Sequence, residues 1–186
     1  MAEQPLYALI ASLPFLRMQE KPAVSYGDFL ESAAAFVEGQ DLEELTALTL
    51  IPAKEQPCFR DGSFAAKYTA WENALRQSIL RLRTAKFHLE NTASAPRDAQ
   101  FECDADSVAV RAYAADPLER ERILDAARWD KAEELSSGHV FDLDVVEAFA
   151  VKLQIAEKWA KRAAGDPAKN LDSAAAMLEQ TDGQQK

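Results

Sequence analysis

From Ser63 to about Asn91 the chain runs without glycine or proline, and Phe64, Tyr68, Trp71, Leu75, Ile79, Leu82 and Leu89 recur at steps of three, four or seven. That spacing puts them on one narrow seam of a helix, the clearest helix in the sequence. Others are marked by their ends. Ser25 with Asp28 resembles a capping box and opens a helix expected to reach Val37, where Gly39 stops it; Asp41 with Glu44 repeats the device ahead of Leu42, Leu45 and Leu48. Two prolines and a glycine make Pro52–Gly62 a loop. Ala93–Arg97 reads as a break, followed by a loop and one short helix before Ala115. Asp116-Pro117-Leu118-Glu119 is a strong helix start, because Pro at the first helical position gives up no needed hydrogen bond. This helix runs to about Leu135 and ends in Ser136-Ser137-Gly138. The next begins at Asp142 or Asp144 and continues to Ala164, before Gly165 and Pro167. Near the start, Tyr7–Ala11 suits a short helix after Pro5.

No segment alternates with period two, and no internal repeat is visible. The expected fold is all-α, an irregular helical bundle rather than four equal helices. Residues 1–165 make a single helical domain, and 166–186 hold a short helix (Ala174–Glu179) and a polar, disordered tail.

A wheel count at about 100° per residue shows charges where apolar residues belong. In the helix from Pro117, Leu118, Leu124, Trp129, Ala132 and Leu135 share one arc, and Glu121, Asp125 and Arg128 fall inside it. Glu119, Arg120, Asp130, Lys131, Glu133 and Glu134 take the opposite side and should face water. The next helix has a wide apolar surface (Val145, Val146, Phe149, Leu153, Ile155, Ala156, Trp159, Ala160) with Lys152 near its middle. If the two helices pack antiparallel, Glu121, Asp125, Arg128 and Lys152 form a charge-balanced structural ion network, since buried charges must be paired. On that reading Lys152→Met lowers stability and Lys158→Met, on the wet face, does little.

Charge changes the picture by exclusion. With 31 acidic and 21 basic residues the formal charge is −10, which argues against nucleic acid or an anionic membrane as the main ligand. The six glycines never cluster, so neither a P-loop nor a dinucleotide fingerprint is present. No nucleotide and no cofactor is expected. Cys58 and Cys103 read as reduced thiols of a cytosolic protein rather than a disulfide framework. The first ten residues carry Glu3 and no Lys or Arg, so they lack the basic start of a signal peptide. The longest apolar stretch, Leu6–Leu16, falls short of the roughly 20 residues of a membrane span. The expected location is cytoplasmic, peripheral to a membrane only through a protein partner. His88 and His139 have no second metal-type ligand at helical spacing, so no metal is expected. Lys67, Arg76, Arg81, Arg83 and Lys86 make the long helix basic within an acidic chain. They form either a docking stripe for an acidic partner or a set paired internally.

Several of these segments resemble a bacterial family of unknown function encoded beside genes of V-type (A/V-type) rotary ATPases. They are Tyr7–Pro14, Ser25–Leu30, Asp116–Glu121 with Asp125 and Arg128-Trp129, then His139, Phe141-Asp142, Lys152-Leu153-Gln154 and Trp159. Pro117–Trp159 is the specific block, and Ile51–Arg111 matches loosely. The resemblance implies a reduced counterpart of the helical C (d) component of those ATPases, whose lobes this fold would share in part. That component is the socket between the central stalk and the membrane rotor ring, which would be the partners. The leading expectation is a non-enzymatic subunit or assembly factor. The alternatives are a freestanding helical adaptor or regulator and, third, a small enzyme built on Cys58 or on carboxylates.

Overall fold

The computed structural model describes residues 3–50, 59–87 and 102–165, and among these every regular element is an α-helix. In chain order they are α1 (Glu3–Ser12), α2 (Tyr26–Ala33), α3 (Gly39–Ala47), α4 (Phe64–Phe87), α5 (Glu102–Ala114), α6 (Pro117–Ser136) and α7 (Leu143–Ala164). The expected break at Ala93–Arg97, the helix Ala174–Glu179, most of the Pro52–Gly62 loop, Cys58 and His88 lie outside the described residues.

The helix starts follow local chemistry. Ser25 caps α2 by accepting from the Asp28 amide at 3.1 Å, and Asp116 caps α6 by accepting from the Leu118 and Glu119 amides, both at 3.0 Å. The expected boundary at Gly39 is reversed: Gly39 opens α3, with φ +59°, instead of ending α2. α2 ends at Ala33, and one further turn bonded back to Ala33 carries the chain to Val37. Asp41 and Glu44 are therefore inside α3, not at its cap, and both turn to Arg60 (2.6 and 2.9 Å). Before Ala115 the chain forms a 13-residue helix, α5, where a short one was expected. Its last carbonyls, of Ala112, Tyr113 and Ala115, accept hydrogen bonds from the Arg120 guanidinium of α6, so this side chain fixes the corner between the two helices.

Three apolar clusters hold the bundle. The first joins α1, α2 and α3 to one side of α7 through Leu9, Phe29, Ala33, Val37, Leu45, Val146, Phe149 and Leu153. The second joins α4 and α6 to another side of α7 through Phe64, Tyr68, Ala132, Val151, Ile155 and Trp159. The third lies between α4, α5 and α6 around Trp71, Leu75, Val108 and Ala127. α7 is thus the central helix, with ten buried residues, in keeping with the wide apolar surface of its sequence. No helix among the described residues is long and apolar enough to cross a membrane.

Candidate functional site

Where α4, α6 and α7 meet, charged side chains are buried together. Arg128 grips Glu72 of α4 with two nitrogens (2.9 and 2.8 Å) and Asp125 of its own helix at 2.8 Å. Asp125 is fully buried and also accepts from Lys158 (2.7 Å) and from the Trp159 indole (3.0 Å). Lys158 reaches Glu121 at 2.8 Å, and Arg162 pairs with Glu121 as well. Arg76 completes the chain of contacts at Glu72, 2.7 Å away. Burial works against the charge on Arg128, but the Glu72 hydrogen bonds and the neighbouring carboxylates outweigh it and raise its pKa. The Tyr68 hydroxyl beside them is buried without a partner, and burial pushes its pKa up.

Glu121, Asp125 and Arg128 are brought together, but Lys152 is not among them. Its ammonium lies 3.4 Å from Glu133 and over the Trp129 ring, while Lys158 occupies the place expected for it. The cause is antiparallel register. Each step along α6 is matched by a step back along α7, so Glu133 meets Lys152, Asp125 meets Lys158 and Trp159, and Glu121 meets Arg162. Lys152 is two turns of α6 away from Asp125. The expected effects therefore exchange places: Lys158→Met should cost about 1–2 kcal/mol, because Asp125 keeps Arg128 and Trp159, and Lys152→Met less than about 1 kcal/mol. Paired urea titrations of the two variants check this, and equal midpoints would contradict the register.

Two further cations on α6 depart from the wheel. Lys131 is buried against Asp104 (2.9 Å), Glu134 (2.6 Å) and the Trp71 ring, and Arg120 caps α5. α6 touches α4, α5 and α7, and a helix with neighbours on three sides has no single wet face. Glu72 is a member of the network that sequence reasoning does not find, although it lies beside Trp71 and one turn from Tyr68 on the apolar seam of α4. In the basic stripe, Arg76 is held by Glu72 and the Leu50 carbonyl, and Arg81 by Asp106 and Ser78. Lys67 and Arg83 are exposed, and the Lys86 side chain lies outside the described residues. The described cations do not make one continuous stripe.

A second buried polar centre lies between α3, α7 and the start of α4. Glu147 is fully buried and neither carboxyl oxygen has a hydrogen-bond partner. Burial pushes its pKa up to about 8, helped by the charges of Glu44 and Asp144. Arg60 and the Ala65 amide oppose the shift weakly, the amide without meeting hydrogen-bond geometry. Glu44 is itself buried; one oxygen accepts from the Arg60 backbone (3.0 Å) and guanidinium (2.9 Å) and the other has no partner.

At the adjoining turn, His139 Nδ1 lies 2.5 Å from Asp142, and Nε2 lies 3.4 Å from Asp144. The hydrogen bond to Asp142 raises the histidine's pKa, and both aspartates add to it. These three residues place ligand-type atoms within 4.8 Å of one another, a grouping that helical spacing does not reveal because residues 139–142 form a turn. They are solvent-accessible and already paired with one another.

Two α7 side chains bind backbone far away in sequence. Gln154 accepts from the Leu50 amide (3.2 Å) and donates to the Leu48 carbonyl (2.9 Å), and Glu157 accepts from the Tyr26 amide (2.7 Å). Taken together, the polar groups of α6 and α7 join these two helices to each other, to α4 and to the segments around Tyr26 and Leu48–Leu50. Residues 106–167, 62 of the chain's 186, match the model of a family described as a protein of unknown function (DUF2764). The block Pro117–Trp159 lies inside this match, and the N-terminal segments Tyr7–Pro14 and Ser25–Leu30 lie outside it. No curated protein and no solved structure matches the chain.

Proposed function

We propose that the chain is a non-catalytic, V-type ATPase-associated subunit or assembly factor, linking the central stalk to the rotor ring in the manner of a reduced C (d) component. It acts through helix surfaces and binds no nucleotide, nucleic acid or cofactor. The observation that supports this reading is where the charges of the family-matched block go. Glu121, Asp125, Arg128, Lys158 and Arg162 all lie within residues 106–167 and pair with one another across two helices and with α4. Side chains used this way hold a rigid helical shape, which suits a part that transmits force or holds neighbours together. The ATPase itself enters through the sequence resemblance of Tyr7–Pro14, Ser25–Leu30 and the Pro117–Trp159 block.

The test is a pull-down of the tagged chain against the purified proteins of the central stalk and rotor ring. Recovery of stalk or ring proteins in stoichiometric amounts is the expected result. A chain that recovers neither, and instead co-purifies with unrelated proteins, would be a freestanding adaptor or regulator.

A further inference from the structure

The end of the bundle where α1, the α2–α3 turn and the start of α7 meet presents an apolar groove to solvent. Leu6, Phe36, Val37 and Leu143 line a hollow of about 390 Å³. Beside it Tyr7 packs edge-on against Phe141, ring centroids 4.8 Å apart, yet the two remain 56% and 45% exposed, and Val140 is 60% exposed. Leu6 and Tyr7 are consecutive in α1, and Phe141 is two residues before Leu143, so the aromatic pair lies at the same end of the bundle as the hollow. Exposed aromatic and branched side chains grouped in this way, rather than scattered singly, mark a contact surface.

The charged residues that line the hollow itself are both acids. Glu38 and Asp41 stand on the rim, and Asp142 and Asp144 flank Leu143 in the chain. Against these four acids stand Arg60, which is paired to Asp41, His139, which is paired to Asp142 and Asp144, and exposed Lys67, whose charge reaches His139. Glu38 is exposed at the N-cap of α3 and makes no side-chain capping bond.

We propose that this groove docks a basic amphipathic helix of a partner protein, its apolar stripe seated on Leu6, Phe36, Leu143, Tyr7 and Phe141 and its Lys or Arg residues facing Glu38, Asp41, Asp142 and Asp144. Burying the apolar residues supplies affinity, and the acidic rim selects the sign of the partner and speeds the encounter. The proposal rests on the reading under Proposed function only in taking the chain to work while bound to another protein.

The probe is a synthetic 18-residue helix of Leu at i, i+3, i+4, i+7 spacing with Lys elsewhere, labelled for fluorescence anisotropy. Its Leu/Glu counterpart is the control. The Lys helix should bind and the Glu helix should not. Tyr7→Ser with Phe141→Ser should weaken binding at least tenfold, Glu38→Lys severalfold, and Phe15→Ser, on a different face, not at all. Glu38→Lys decides the matter if the double variant fails to fold, since Glu38 is exposed and outside the core. Equal binding by the wild type, Glu38→Lys and the serine variants would overturn the proposal. So would self-association of the free chain that Phe141→Ser abolishes, which would assign the groove to a second copy. The two readings separate in the pull-down. If Phe141→Ser still recovers the stalk proteins, the ATPase reading stands without this surface. If the peptide binds as expected and no stalk or ring protein is recovered, the surface stands without that reading.

Discussion

Glu147→Gln should stabilise the protein strongly in alkaline buffer and hardly at all in acid. The carboxyl is fully buried, has no hydrogen-bond partner among the described residues, and faces the carboxyl groups of Glu44 and Asp144, opposed by the Ala65 amide and Arg60. Its pKa is raised from 4.5 to about 8 in the folded state. The sign follows from proton linkage: an acid whose pKa is raised by folding is bound to its proton more tightly in the folded chain. Stability is therefore lost as pH rises from the unfolded value through the folded one, between about 4.5 and 8, and the loss is complete above that. A shift of this size corresponds to roughly 5 kcal/mol at most, on the order of a third or more of a small domain's total stability. Urea unfolding of wild type and Glu147→Gln at pH 5 and pH 8.5 measures it. The difference between the two proteins should grow by several kcal/mol at the higher pH. A difference that does not change with pH would mean that the carboxyl titrates normally.

Arg128→Met should be the most damaging single change in the ion network. Among the described residues, Arg128 is the one side chain that bonds both Glu72 and Asp125. Among the described residues its loss leaves Glu72 with Arg76 and Asp125 with Lys158 and Trp159. Removing one partner from a buried ion pair costs about 3–5 kcal/mol, mostly because the other charge is left uncompensated. Adding Glu72→Leu removes that charge, so Arg128→Met/Glu72→Leu should recover at least half of the loss. Denaturation of both single variants and the double variant gives the coupling between them. A cost below about 1 kcal/mol for Arg128→Met would show that water screens the network.

Helix ends and the long α4 seam are plain in the sequence because they depend on neighbours a few residues away. Ser25, Asp116 and Pro117 act on amides within the next turn, and the register of Phe64, Tyr68, Trp71 and Leu75 needs no knowledge of what it packs against. The charged centre is half legible. An aspartate and an arginine within the apolar arc of α6 are anomalies that any wheel exposes. Which lysine meets them depends on the register between two helices, which the local pattern does not contain, so a wheel puts Lys158 in water and Lys152 beside Asp125. Glu147 is hidden for a related reason. α7 is covered on almost every side, so a polar residue in it stands out only once its neighbours are known. Gly39 misleads because a glycine after a helix and a glycine before one look the same in sequence; its φ of +59° serves the turn into α3.

The position of α7 has a consequence for how the molecule comes apart. Phe149 and Leu153 belong to the cluster with α1–α3, while Val151 and Ile155, interleaved with them on the same helix, belong to the cluster with α4 and α6. Neither cluster loses its wall on α7 without exposing residues that alternate with those of the other. The two sides of the bundle are thus joined into one cooperative unit, and amide protons between Val146 and Ala156 should exchange with solvent only when the whole bundle opens.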